Sequence, residues 1–375
     1  MDGMKQSMKD AKVMSSCNRT YRLRFIALFI VFIGLILLSI CVGRYAVSLK
    51  DAAAIIRADF LYRIHDLQIW MNDHFHTSFG VGGVLPEATW TKGADNVFLR
   101  IRLPRIFAAL LVGCALSVAG AVYQGMFRNP MVSPDILGAS TGAGFGAAVA
   151  ILLGANYLMI TASSFCFGLL AVTAAYLASR FGKFNEILAM ILAGMIVSSL
   201  FSAGTSFVKL VADTQEQLPA ITYWLMGSLS SIKGRDVRFI LIPIAIGVLP
   251  LFILRWRLNL LTVEEETAKT MGINTRLMRI VVVFCATLLT ASSVSVSGMI
   301  GWVGLVIPHF ARMLFGFDYR RLIPATALFG AAFLLAVDDI ARVTTTGELP
   351  LGILTSFVGA PIFFYLLVTG KGRYA

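Results

Sequence analysis

The sequence predicts an all-α polytopic membrane protein with about ten transmembrane helices, a short outer half-helix and a short cytoplasmic helix. Three observations carry that prediction. The first is composition: 58% of the 375 residues are apolar and 14% charged, where a water-soluble domain carries about a quarter charged residues, and the mean hydropathy is +0.80. The second is that uncharged runs of spanning length recur along the chain, for example at 25–43, 187–208 and 351–369. The third is that Lys and Arg gather at the ends of those runs and mostly on one side, the pattern of cytoplasmic loops. The net charge of +12 therefore orients helices and meets anionic lipid; it gives no reason to invoke nucleic acid.

Taken in order, residues 1–24 form a basic tail (Lys5, Lys9, Lys12, Arg19, Arg22, Arg24) with no cleavable small-residue site after the first apolar run. Residues 25–370 then read as a single transmembrane domain. Its first span, 25–43, leads outward to a long loop, 44–99, with an amphipathic stretch at 51–69 and a Gly-rich turn at 80–83. His65, His74 and His76 lie in this loop, but nothing nearby supplies a further ligand at metal-site spacing, so no metal site is expected. The second span, 106–127, starts behind Arg102 and Arg105 and closes on Arg128, Asn129 and Pro130. The uncharged stretch 136–179 is long enough for two spans with a turn near 154–156, and its small residues at 138–146 allow close backbone approach. Arg180, Lys183 and Glu186 make an inner loop, and 187–208 returns outward. Within the outer segment 213–238, the apolar piece 218–229 is too brief to cross and reads as the half-helix.

The span 239–254 runs inward to a charged island, 255–279, reading RWRLNLLTVEEETAKTMGINTRLMR. Thr262 is placed to cap a helix whose first turn holds Glu264, Glu265 and Glu266, where carboxylates suit the helix dipole. Lys269 follows, and Gly272 is placed to end the helix. Arg255, Arg257, Arg276 and Arg279 flank it and mark it cytoplasmic. Beyond it, 280–310 divides at 298–304 into a full span and a short helix bearing Pro308 and His309; 322–337 and 351–369 follow, and 371–375 is a second cytoplasmic tail. Both termini are thus expected inside.

Some chemistry is excluded. Cys17, Cys41, Cys114, Cys166 and Cys285 show no CxxC or metal spacing, and no Walker A sequence is present. Positive charge on the outer face at Arg102, Arg105, Arg342 and 233–238 runs against the orientation bias. Either an acidic partner docks there, or the arginines pair locally, Arg342 with Asp338 or Asp339 and Arg102 with lipid phosphate.

RLPR (102–105), GAVYQGMFRNPMVSPDILGASTGAGFGA (120–147), GWVGLVIPHFAR (301–312) and ELPLGILTSFVGAPIFFYLL (348–367) resemble motifs of the permease subunits of ABC importers for ferric siderophores, haem and vitamin B12, the FecCD type. The resemblance covers residues 95–370. It implies a multi-pass protein of a prokaryotic cytoplasmic membrane, paired with a second copy or a close relative around a central pathway. It also implies two ATP-binding subunits below, holding ATP and Mg, and an extracytoplasmic substrate-binding protein above. No cofactor is implied for this chain. On this resemblance, 255–279 with Thr262, Glu264, Glu265, Glu266, Lys269 and Gly272 is the ATPase coupling loop, and Arg102, Arg105 and Arg342 receive the binding protein. The helix 187–208 lines the pathway, Arg180, Lys183 and Glu186 form the inner gate, and 218–229, with Leu218 and Trp224, forms the outer one.

Residue chemistry agrees. Ser198, Ser199, Ser202 and Thr205 among small residues make a weakly polar lining that a large chelate can pass, though helix–helix hydrogen bonding explains any one of them equally. A secondary carrier would keep an ionisable residue at mid-membrane, and the chain offers only Asp338 and Asp339 near a span end. A ligand-binding scaffold that transports nothing would leave the island without a purpose. The expectation is an importer permease for an iron chelate, a ferric siderophore before haem or cobalamin, with no catalytic site of its own.

Overall fold

A computed structural model describes residues 2–43, 45, 47–75, 90–91, 93–182, 185–263, 267, 270–272, 274–344 and 347–369, with side chains described from Arg19 onward except at 73, 75, 366, 367 and 369. All regular structure among the described residues is helical. In chain order the elements are α1 (Asp2–Cys41), α2 (Leu49–Phe75), α3 (Ala94–Met126), α4 (Ala139–Leu152), α5 (Tyr157–Ser179) and α6 (Glu186–Val211). Then come α7 (Gln217–Met226), α8 (Gly234–Ile253), α9 (Thr275–Ser297), α10 (Val303–Phe315), α11 (Tyr319–Thr344) and α12 (Leu351–Thr369). Asparagines start three of the helices by accepting backbone N–H groups: Asn156 from Met159, Asn185 from Ile187 and Asn274 from Leu277.

Among the described residues, seven helices are long and apolar enough to cross a membrane: 19–41 within α1, then α3, α5, α6, α8, α9 and α11. This corrects the expected ten. The uncharged stretches that suggested three more spans are spent partly on bends. In the 136–179 stretch the chain turns through Gly138 (φ 85) before α4 begins, leaving a helix of 14 residues. At about 1.5 Å per residue that reaches roughly 21 Å against a hydrocarbon core of about 30 Å. Likewise Gly298 (φ 66) and Trp302 (φ 68) break the 280–310 stretch, and α10 keeps 13 residues. The apolar part of α12 is also short, Leu351–Tyr365.

Two further expectations are corrected with it. The segment 217–226 is a ten-residue helix, α7, one of several short helices, and nothing distinguishes it as an outer half-helix. Between the short turns Arg255–Leu258 and Asn259–Leu261 and the start of α9, the described residues delimit no distinct coupling helix, although Thr267 and Thr270 are helical and Met271 N–H donates to Thr267 O at 3.3 Å. Thr262 donates its hydroxyl back to Asn259 O at 2.7 Å.

The core sits around α3 and α9, whose most apolar windows are 78% and 83% buried, against 11% for α1 and 28% for α6 and α8. Small residues make that density possible. A Cβ at Gly120 would lie 1.8 Å from Gly304 O, so α3 and α10 cross with backbones in contact. The small stretch 138–146 does as its composition predicts: Cβ atoms at Gly142 and Gly146 would lie 2.6 Å from Phe167 O and Ser163 O of α5.

Candidate functional site

The predicted site residues fall into three groups. The first surrounds the loop between α8 and α9. Gly272 is left-handed (φ 77) with open space around it, the conformation a helix-ending glycine supplies. Glu264, Glu265, Glu266 and Lys269 lie outside the described residues.

The second group lies where that loop enters α9. Glu186, at the first position of α6, forms an ion pair with Arg279, one turn into α9. Arg279 is buried and Glu186 exposed, so the pair sits at a boundary with solvent. A cavity of about 350 Å³ opens beside it, lined by Tyr176, Arg180, Glu186, Arg276 and Arg279 among others. Arg180 folds over Tyr176, its guanidinium 4.9 Å from the ring centroid, and donates to the Tyr176 hydroxyl. Lys183 lies outside the described residues. Sequence reasoning placed Arg180 and Glu186 together but missed Arg276 and Arg279 as their neighbours, because those belong to the far side of the loop. The available signal was their basic spacing at the start of α9.

From this cluster α6 runs along the outside of the bundle. Ser199 and Ser202 are exposed with Ile196 and Leu200, whereas Ser198 is half-buried against Gly138, where a Cβ would meet its Oγ at 2.9 Å. Thr205 spends its hydroxyl on Phe201 O at 2.9 Å and Ser206 on Ser202 O at 3.0 Å, which leaves a weakly polar face. In α7, Leu218 packs into a cluster with Ala148, Val208, Ala212 and Ile221, and Trp224 is half-buried. The end of α7 borders an open apolar cavity of about 650 Å³ lined in part by Met226, Met299, Gly352 and Phe357. In the connection preceding α4, Asp135 accepts the Ser140 N–H at 2.7 Å. Burial pushes its carboxyl up from the usual range, and the Ser140 hydrogen bond pulls it partly back.

The third group joins the start of α3 to the end of α11. Arg102 is buried and donates to the backbone oxygens of Ile40 and Tyr45, fastening α3 to the end of α1. Arg105 donates through Nε to Asp338 at 3.0 Å and through Nη1 to Glu348 at 2.9 Å. Arg342 pairs with Asp339, with Asp338 at 3.3 Å, and with the Ser39 hydroxyl at 2.7 Å. The local pairing held open for Arg342 is therefore present, and Arg105 shares it. Asp338 is fully buried and Glu348 keeps a quarter of its side chain exposed. Glu348 also holds a left-handed backbone (φ 51).

Among the described residues no group of His, Cys, Asp or Glu is placed to hold a metal ion. The arrangement thus has one ion pair near the start of α9, an ion-pair network between α3 and α11, and a weakly polar exposed face on α6.

Comparison with known proteins agrees in kind. The profile described as the FecCD transport family matches residues 28–369. The chain is 42% identical over 275 residues to the molybdate import system permease protein of Haemophilus influenzae, covering 73% of this chain and 81% of that one. It is also 42% identical over 276 residues to a permease of Helicobacter pylori named for an iron chelatin transport system, covering 74% and 83%. A solved inward-facing structure, described as an ABC transporter of the metal-chelate type, superposes with a TM-score of 0.78 at 35% identity. It covers 93% of this chain and 99% of that one.

Proposed function

Because the chain belongs to the FecCD transport family, we propose that it lines the pathway of an importer for an iron chelate, a ferric siderophore, and that residues 255–279 pass the ATPase stroke to that pathway. The chain is the multi-pass membrane permease subunit of an ABC-type importer, working with a partner ATPase and a binding protein. FecCD permeases are themselves non-catalytic.

The observation that carries the coupling part is the ion pair of Glu186 with Arg279. It ties the first residue of the pathway helix α6 to the first turns of α9, directly behind the loop 255–274. A push on that loop moves α9 and, through this pair, the inner end of α6. Arg180 and Lys183 act beside it as gate residues, while Leu218 and Trp224 of α7 border the other end of the route. The same reading takes Thr262, Glu264, Glu265, Glu266, Lys269 and Gly272 as the surface that the ATPase grips.

The substrate part is supported by the lining. The α6 face offers the hydroxyls of Ser199 and Ser202 and no cation between Glu186 and Lys209. A bare dianion such as molybdate needs fixed donors along its way, whereas a chelate encloses its metal charge and passes a shallow surface. The equal 42% identity to a molybdate and an iron chelatin permease makes molybdate the competing substrate. At the other end, Arg102, Arg105 and Arg342 frame the docking face for the binding protein, with Glu348 as the carboxylate that an incoming acid displaces from Arg105.

The test is uptake by the complex reconstituted in vesicles with its ATPase and binding protein, offered labelled ferric siderophores, haem, cobalamin and molybdate in turn. ATP-dependent uptake of a ferric siderophore is the expected result. Uptake of molybdate alone would overturn the chelate reading.

A further inference from the structure

The end of the bundle that carries the 255–274 loop has a second feature beside the loop. A cavity of about 430 Å³ lies between the C-terminal ends of α3 and α10, and Gln124, Arg128, Thr262, Arg312, Phe317 and Tyr319 contribute to its wall. Arg312 is 7% exposed. One of its terminal nitrogens donates to Gln124 Oε1, and its Nε has no hydrogen-bond partner. The Gln124 amide cannot turn to offer more, because its nitrogen is committed to the backbone oxygens of Val132 and Leu305, both at 3.2 Å. Among the described residues no carboxylate forms an ion pair with Arg312. A desolvated guanidinium facing one neutral oxygen is an incomplete arrangement: a buried charge calls for a counter-charge, and the buried Nε–H remains to be used.

The rim carries a second cation at a conformational cost. α3 ends in a pair of reverse hydrogen bonds, Arg128 N–H to Gly125 O at 3.1 Å and Asn129 N–H to Gln124 O at 3.0 Å. That pattern puts the residue after the cap in the left-handed region, usually a glycine. Here it is Arg128, at φ 50. The side chain is exposed at the mouth of the cavity.

We propose that this cavity receives a carboxylate side chain of the ATP-hydrolysing subunit, which Arg312 and Arg128 hold as paired guanidinium–carboxylate contacts. Charge complementarity selects that occupant. The cavity opens beside Thr262, and the sequence around this end is basic, with Arg255, Arg257, Arg276, Arg320 and Arg321 besides the two named. An acidic protein surface is therefore steered here. The inference rests on the reading that the ATPase meets this end, and it adds a contact outside the loop. Both helices involved, α3 and α10, belong to the packed centre, where they cross at Gly120 and Gly304. A carboxylate seated here pulls on that crossing directly.

The experiment uses the assembled complex carrying Arg128→Lys, treated with a water-soluble carbodiimide. This reagent joins a lysine amine to a touching carboxylate as an amide, with loss of water. Peptide mass spectrometry then locates the bond made from position 128. A cross-link to an Asp or Glu of the ATPase subunit is expected. A cross-link to residues 264–266 of this chain, or none while the ATPase is present, overturns the inference alone. Absence of the ATPase from the wild-type complex removes the underlying reading as well. A second measurement separates contact from folding: Arg128→Gly relieves the left-handed backbone, so the isolated permease should melt at a higher temperature, whereas the assembled complex should retain several-fold less ATPase in raised salt. Unchanged retention in that variant overturns the proposal.

Discussion

Arg105, Asp338 and Arg342 show how much a single charge matters in this bundle. Asp338 is fully buried between two guanidiniums, and each has a second acid, Glu348 for Arg105 and Asp339 for Arg342. Removing one partner of such a buried pair leaves an uncompensated charge, which typically costs about 3–5 kcal/mol. Arg105→Met should therefore destabilise the detergent-solubilised protein by that order. The double variant Arg105→Met with Asp338→Leu should recover much of the loss. Thermal unfolding of the single and double variants checks this, and equal destabilisation by both would refute the buried-pair account. The pairs at Asp338, Asp339 and Arg342 were legible in the sequence as three- and four-residue spacings on a helix. The Arg105 pair was not, because 233 residues separate its members.

Among elements, two contacts decide what the helices can do. The crossing of α3 and α10 leaves no room for a side chain at Gly120. Gly120→Leu should therefore abolish folding, seen as loss of a monodisperse peak in size-exclusion chromatography; Gly272→Leu meets open space and adds only left-handed backbone strain of about 1 kcal/mol, so it should leave that peak intact. The link between α6 and α9 is the other. Glu186→Arg and Arg279→Glu should each cut uptake several-fold while ATP hydrolysis continues, and combining them should restore part of the uptake. Failure of the combination to do better than either single change would refute the linkage. On the α6 face, Ser202→Trp points into open space, so the protein should fold and bind its ATPase but lose transport of a bulky substrate. Normal uptake would take Ser202 off the route. The close backbone approach of the small-residue stretch 138–146 was readable in advance from local chemistry. The seven-span count was not, since an uncharged run does not reveal where it bends.

For the whole molecule, the uneven burial is the main consequence. α3 and α9 form the interior, and α1, α6 and α8 turn most of their surface outward. Those faces and that of α12 carry large apolar side chains, among them Ile196, Leu200 and Phe207 on α6 and Phe357 and Phe364 on α12, and they need lipid or another subunit to cover them. FecCD permeases work with a partner ATPase, so purification from its native membrane in mild detergent should recover an ATP-binding subunit in equal amount. Because a bound partner stabilises the folded state by mass action, the assembled complex should melt higher than the isolated permease. A permease that is monomeric, free of ATPase and equally stable under conditions that keep other such complexes intact would contradict this assembly.

The class of this protein was determined by the sequence alone. Composition made it a membrane protein, and four motifs in order carried the family resemblance that the matched profile bears out. These properties are local or additive, so a linear reading captures them. Only the tertiary structure decided that Arg102, Arg105 and Arg342 are buried and engaged within their own chain. It alone brought Glu186 to Arg279 across the loop and left Arg312 facing a cavity with an unused donor. Each of these depends on which distant backbones come together and how closely, and that is set by the packing of glycines and side chains in three dimensions.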